Sequence, residues 1–352
     1  MCELAKGTCG TCVWEIDIKG TLTIRPADGK NGKLDSFDCI TLFPWHVHSR
    51  TVRKTVIEDG VKAERSICGI FRNMTLCREF DIGRLDISDT EDIGYVFQNC
   101  TNVESIPSIV RWDTGKVQEM EFMFYGCSSL RDISFAREWN TENVNSMEGV
   151  FVGCRALSDI SPLAGWKTGK AEDMMRMFNK CAALSDISPL VNWNTKNVTD
   201  MCSMFSGCTA LRNADAVRNW DVGSMEGCNG MFLDTGVTEN PFDEKIPMAC
   251  PRSGAFTGYK KCLNDEIVEL LVPEDARRSS ACGRKCRCDK AVVVRITDKD
   301  GNEVQEAKSW FKPAFVYKKG ETVSVPDFST ERFCECSEGI HLFMTREEAE
   351  KY

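Results

Sequence analysis

Apolar residues return through the middle of this chain at a fixed interval of 27 positions. Phenylalanine stands at 97, 124, 151, 178, 205 and 232, and tryptophan at 112, 139, 166, 193 and 220. Methionine at 120, 147, 174 and 201 and cysteine at 100, 127, 154, 181 and 208 keep the same step. A period of this length marks a solenoid, in which each repeat buries its apolar face against its neighbours. Within the unit 112–138, Trp112-Asp-Thr-Gly115 reads as a turn in which Asp113 or Thr114 caps a following helix. Val117, Met120, Met123 and Phe124 fall at helical spacing and predict that brief helix. Leu130-Arg-Asp-Ile133-Ser-Phe135 predicts a short strand with its apolar residues on one side. The expected fold class is an α/β solenoid with parallel strands on its inner face.

The periodic pattern does not reach either end. Residues 1–65 lie outside it, and Trp14-Glu-Ile-Asp-Ile-Lys-Gly-Thr-Leu-Thr-Ile24 predicts a β-hairpin, the natural N-terminal β cap for an exposed solenoid end. Phe71 opens a degenerate repeat, Leu85 occupies the tryptophan column, and the register is lost after Phe232, giving a solenoid over 66–240. Pro241, Pro247, Pro251 and Gly254 then suggest a closing loop over 241–263. Residues 264–352 read as a small α+β C-terminal domain of several short strands. Its last helix is opened by a capping box at Thr345-Arg-Glu-Glu348.

Two stretches resemble known families. Met201-Cys-Ser-Met-Phe205-Ser-Gly-Cys208-Thr-Ala-Leu211 and Trp193-Asn-Thr-Lys-Asn-Val-Thr-Asp-Met201 resemble the BspA-like leucine-rich-repeat proteins, over about 70–236. That resemblance implies a leucine-rich-repeat-like horseshoe and a place at a bacterial surface or in the medium, with adhesion as the role of some members. The tail is similar to a small module of unknown function that also follows pentapeptide-type repeats. The residues that carry this second likeness are Cys286-Arg-Cys288, Phe315-Val-Tyr317-Lys-Lys-Gly320 and Cys336-Ser-Glu-Gly-Ile-His341. It implies no activity.

Charge and composition narrow the function. A net charge of -9 and a pI near 5.2 argue against wholesale binding of nucleic acid or acidic membranes. No apolar run has the length of a membrane span. The opening Met-Cys-Glu-Leu-Ala-Lys-Gly lacks a signal-peptide core, which by sequence alone points to the cytoplasm, against the direction of the resemblance. With three histidines, no Gly-rich phosphate loop and no His-Glu-x-x-His, no catalytic arrangement stands out, and a non-enzymatic protein is expected.

The expected role is therefore recognition of a protein or glycan partner through the concave solenoid face. Asp132-Ile-Ser134, Asp159-Ile-Ser161 and Asp186-Ile-Ser188 recur there at one register, and Asn213 continues the aspartate column. Stacked about 4.8 Å apart, these carboxylates either bond backbone or form a ladder for cations and basic side chains. The alternative is that the C-terminal module is the active part, zinc-stapled or enzymatic, with the solenoid as targeting arm. Cys286, Cys288, Cys336 and His341, beside Cys282 and Cys334, are donors enough for a structural zinc, although the cysteine-rich composition favours ordinary thiols. Cys9-x2-Cys12, with Cys2 and Cys39, and His46-Val-His48 are weaker candidates of the same kind.

Overall fold

The computed structural model describes residues 3–37, 42–280, 283–329, 332–334 and 336–352. It divides into two units, Met1–Met225 with Met231–Asp243, and Glu226–Gly230 with Glu244–Tyr352. Among the described residues no helix is long and apolar enough to cross a membrane.

The first unit is a solenoid-like stack. Single parallel β-bridges join Ser66 to Asp92, Asp92 to Glu119, Glu119 to Ser146, Ser146 to Asp173 and Asp173 to Asp200, so successive coils align in register. The columns seen in the sequence are its core. Phe97, Phe124, Phe151, Phe178 and Phe205 stack near-parallel with ring centroids 5.4 to 5.7 Å apart. Trp139, Trp166, Trp193 and Trp220 form a second stack at 6.2 to 6.4 Å.

Tryptophan and cysteine suit these columns because each supplies a donor as well as bulk. A buried carbonyl without a partner is costly, and irregular coils leave many. The Trp166 indole N–H donates to the Ala136 carbonyl at 2.9 Å, and Trp112, Trp139, Trp193 and Trp220 do the same one coil back. The Cys127 thiol donates to Phe97 O at 3.1 Å, and Cys100, Cys154, Cys181 and Cys208 repeat the bond. All five column cysteines are free and buried, whereas Cys68 and Cys228, outside the column, are disulfide-bonded.

The local conformation differs from the α/β reading. Val117–Phe124 is a β-bridge at Glu119 followed by turns, not a helix. Phe122 and Gly126 both take positive φ, 52° and 74°, and two left-handed residues so close together cannot belong to one α-helix. The methionine and phenylalanine spacing arises because two successive turns face the same core. The predicted strand from Leu130 to Phe135 is instead a bridge at Asp132 leading into the 3-10 helix Ser134–Glu138. Equivalent 3-10 turns recur as Pro107–Arg111, Ser161–Gly165, Ser188–Leu190 and Asp215–Val217. Thr114, expected as a helix cap, is buried and donates to Asn140 O of the next coil at 3.1 Å.

A five-stranded sheet covers the start of the stack, in the order Glu3–Cys9, Cys12–Asp17, Thr21–Pro26, Lys54–Ile57, Glu79–Asp81. The first three pair antiparallel and the last two join in parallel, so hairpin geometry gives way to coil geometry within one sheet.

The second unit is a seven-stranded antiparallel sheet. Its order is Arg278–Ser280, Lys285–Cys288, Ile340–Phe343, Phe256–Lys261, Ile267–Val272, Lys290–Thr297, Thr322–Ser324. Phe256–Lys261 thus makes a strand of part of the stretch read as a closing loop. A separate hairpin pairs Glu306–Lys308 with Val316–Lys318. Val268, Leu270, Val293, Ile296, Tyr317 and Leu342 are among the buried core. Arg346–Lys351 is the one α-helix among the described residues, and the capping box at Thr345 and Glu348 is present.

Candidate functional site

The bridge column of the first unit carries a concentration of carboxylates. Asp92, Glu119, Asp173 and Asp200 occupy bridge positions, and Glu121 and Glu148 follow two residues after bridge positions, where the turns begin. Three of the aspartates spend one oxygen on their own turn: Gly94 N–H donates to Asp92, Met175 N–H to Asp173 and Cys202 N–H to Asp200. Glu121 accepts from the Ser146 hydroxyl at 2.7 Å. Glu148 has a weaker tie, its carboxylate 3.9 Å from the Arg176 guanidinium.

Burial in a half-dry strip, with crowding of like charge second, raises Glu119, Glu148 and Asp173. Burial, then Asp173 and Glu121, push the Glu148 carboxyl up to about 7. Burial with Glu121 and Asp92 raises Glu119, and burial with Asp200 and Glu121 raises Asp173. Tyr95, whose hydroxyl burial, Glu121 and Glu148 hold above its ordinary range, lies at the edge of the same strip.

That edge is aromatic. Tyr95 and Phe122 sit in left-handed conformations, φ 59° and 52°, and their rings lie 5.2 Å apart; Phe122 meets Tyr125 at 6.0 Å. Gly149, at the equivalent place in the next coil, makes room: a Cβ there would lie 2.4 Å from the Phe122 ring. The Arg72 guanidinium rests over Tyr95 at 5.9 Å. The face thus already holds one basic side chain against an aromatic ring, with carboxylates beside it.

The residues singled out by sequence lie elsewhere. Asp132, Asp159 and Asp186 are exposed, and each turns a carboxylate oxygen onto the N–H two residues ahead, on Ser134, Ser161 and Ser188, at 2.8 to 2.9 Å. Asn213 does the same for Asp215. Of the two readings open for this column, the backbone bond is the one present. It holds the Asp132 carboxyl below its ordinary range.

Cys286, Cys288, Cys336 and His341 are not brought together. Cys286 and Cys288 pair with Leu342 and Ile340, while His341 pairs with Arg287 and so emerges on the opposite side of the sheet. His341 bonds Ser337 O at 2.9 Å, burial and Lys285 push its imidazole down to about 4, and Cys336 is exposed. Cys286 instead meets the Cys250 thiol, and their hydrogen bond holds the Cys250 thiol below its ordinary range. Among the described residues no three His, Cys, Asp or Glu side chains are grouped to hold a metal ion.

Cys9 and Cys12 face each other across a hairpin, buried, with both thiols pushed up to about 11 by burial. Cys2, Cys39 and Cys282 lie outside the described residues. His46 and His48 stand on the 3-10 helix Pro44–His48, where His46 bonds Gly69 O at 2.8 Å.

A polar groove of about 590 Å³ adjoins the same coils, lined by Lys116, Gln118, Asn143, Asn145 and Lys170 among others. Its side chains engage one another, as in the 2.7 Å bond from Lys170 to Asn143.

Comparison with known proteins gives two family matches. Residues 65–188 and 131–244, together spanning 65–244, match the family described as "Mycoplasma protein of unknown function, DUF285". Residues 246–349 match a second family of unknown function, DUF5758. No curated protein matches the chain.

Similar solved structures include a leucine-rich repeat protein from Eubacterium ventriosum, at 12% identity and TM-score 0.26, covering 67% of this chain and 97% of that one. A leucine rich cell surface protein from Faecalibacterium prausnitzii matches at 13% identity and TM-score 0.20, covering 83% and 61%. An internalin from Listeria monocytogenes matches at 12% and TM-score 0.17, covering 64% and 84%.

Proposed function

The chain belongs to the DUF285 family, and we propose that its repeat stack is a non-enzymatic scaffold that recognises a basic segment of another protein. The observation that carries this reading is the gathering of Glu119, Glu121, Glu148 and Asp173 in one half-buried strip, where burial and then like charge push Glu148 up to about 7. Such a strip gains when an ammonium or guanidinium group arrives, because the cation relieves repulsion that folding leaves in place. Tyr95 and Phe122 offer that cation a ring face, as Tyr95 already does for Arg72. The resemblance to BspA-like proteins fits this role at a cell surface or outside the cell, in adhesion. A glycan is the second reading, favoured by the amide-lined groove beside the strip.

The test is binding of a fluorescent arginine- and lysine-rich peptide to three forms of the full chain. Wild type should bind with strong salt dependence. Glu121→Gln with Glu148→Gln should weaken binding by about thirtyfold, since each charge pair at this partly wet site contributes on the order of 1 kcal/mol. Asp132→Ser with Asp159→Ser and Asp186→Ser should leave binding intact. Loss in that second variant alone would move recognition to the repeated aspartate column. A wild type that ignores the peptide would sink the basic-partner reading.

A further inference from the structure

The second unit exposes two large aromatic rings that its own fold does not use. The hairpin of Glu306–Lys308 and Val316–Lys318 is anchored at its base, where Ala307 and Tyr317 pair in register and are both buried. Phe315 packs on Tyr317 at 5.2 Å, and Leu263 N–H donates to Lys308 O at 2.9 Å. The tip is closed by Ser309 N–H to Phe315 O and Phe315 N–H to Lys312 O. From this rigid support Trp310 and Phe311 stand 61% and 76% exposed. The other seven tryptophans of the chain are at most 6% exposed. An exposed pair of this kind is informative where an isolated exposed leucine is not.

The charge around the rings is mostly basic, although Glu306 stands opposite Lys318 in register. Residues 308–318 contain Lys308, Lys312 and Lys318 and no acid, and all three lysines are exposed. Lys312 reaches Glu338 at 3.1 Å; neither Lys308 nor Lys318 is in an ion pair among those found between described residues. The whole chain is acidic, but at physiological salt charges more than about 8 Å away are largely screened. A surface that touches the tip therefore senses three lysines against Glu306 and Glu338, a local balance that stays positive. Rings that favour a boundary between water and hydrocarbon, flanked by ammonium groups on flexible apolar stems, match a lipid headgroup layer.

We propose that this hairpin tip is a membrane-interface anchor, seating Trp310 and Phe311 among the headgroups of an anionic bilayer while Lys308, Lys312 and Lys318 meet lipid phosphates. Two rings and three charges hold weakly and reversibly. The anchor adds to whatever the repeat stack binds and does not depend on it.

The experiment uses the full chain with vesicles of phosphatidylcholine alone or mixed with phosphatidylglycerol. Because the other tryptophans are buried, iodide and acrylamide should quench mainly Trp310. Mixed vesicles should shift that emission to the blue, shield it from quencher and co-sediment the protein; neutral vesicles should do so far less. Phe311→Ala keeps the reporter and should lower partitioning by about tenfold, the worth of one buried ring. Lys308→Gln with Lys318→Gln should weaken binding and flatten its salt dependence. Both changes are at exposed positions, and an unchanged circular dichroism spectrum would show that the fold survives. Unaltered quenching and no sedimentation with mixed vesicles would overturn the proposal. So would shielding of Trp310 that grows with protein concentration in the absence of lipid, since a second copy would then be the occupant.

Discussion

Replacing Glu148 by glutamine removes a carboxyl beside the bridge column that burial and then like charge hold up. The Glu148 carboxyl holds its proton up to about pH 7, against a reference of 4.5, through burial first and then Asp173 and Glu121. Each pH unit of such a difference is worth about 1.36 kcal/mol, so the whole interval corresponds to roughly 3 kcal/mol. The side chain is still 17% exposed, and water screens part of that, leaving about 1–2 kcal/mol. The sign follows from proton counting. Between pH 4.5 and about 7 the folded chain keeps a proton that the unfolded chain has released, so stability falls as pH rises through that window and levels off above it. Glutamine cannot ionise and removes the penalty. Urea unfolding, followed by emission of the stacked tryptophans, should show the two proteins nearly equal at about pH 5. At about pH 8 the variant should lead by the 1–2 kcal/mol estimated above. Parallel pH dependence in the two proteins would refute the raised Glu148 carboxyl, and with it the electrostatic basis of the recognition face.

Three further outcomes probe the stack and its edge. Phe151→Ala removes a fully buried ring held between Phe124 and Phe178 at 5.6 and 5.7 Å, and should cost about 3–5 kcal/mol in chemical denaturation. Gly149→Ala places a Cβ 2.4 Å from the Phe122 ring at a residue with φ 59°. It should cost about 1–3 kcal/mol and reduce basic-peptide affinity without altering any charge. The column thiols, fully buried and with Cys127 and Cys208 pushed up to about 12, should resist iodoacetamide in the native chain while exposed Cys336 reacts. Mass spectrometry of the native digest showing modified Cys127 would contradict the packing.

The sequence revealed the core more completely than the backbone. Phe124, Trp139, Cys127 and Met120 have identical counterparts in successive coils, so one period exposes a whole column. Backbone conformation was hidden because Val117, Met120, Met123 and Phe124 satisfy helical spacing although two turns share the work. The available signal was Gly126, with Gly153 and Gly207 at the same step, all at positive φ. An αL residue recurring just before the cysteine column is incompatible with a helix running through it. The acidic strip was hidden for a different reason. Its bridge positions read Asp92, Glu119, Ser146, Asp173 and Asp200, and a column of changing letters does not catch the eye as Asp132, Asp159 and Asp186 do. Its place immediately before the methionine column, at 120, 147, 174 and 201, could have marked it.

Those two aspartate-bearing columns differ in a way that bears on where recognition resides. Asp132, Asp159 and Asp186 perform one structural task, accepting the N–H two residues ahead to start a 3-10 turn. Four of the five such turns carry that acceptor, Asn213 supplying the fourth, and the letter repeats because the task repeats. On the bridge column the same task falls to Asp92, Asp173 and Asp200, while Glu119 and Ser146 stand at equivalent bridge positions with different side chains. There the backbone geometry stays constant and the chemistry changes from coil to coil. Identity repeated at fixed geometry marks what each coil requires of itself, and variation at fixed geometry is the place for what a partner reads. Substitution should separate the two. Asp159→Ala should lower stability by about 1 kcal/mol, the usual worth of a lost cap, and leave peptide binding unchanged. Glu119→Gln should weaken binding and leave stability the same or slightly higher. The reverse pattern, measured by urea unfolding and peptide titration on the same preparations, would put the recognition surface on the repeated column after all.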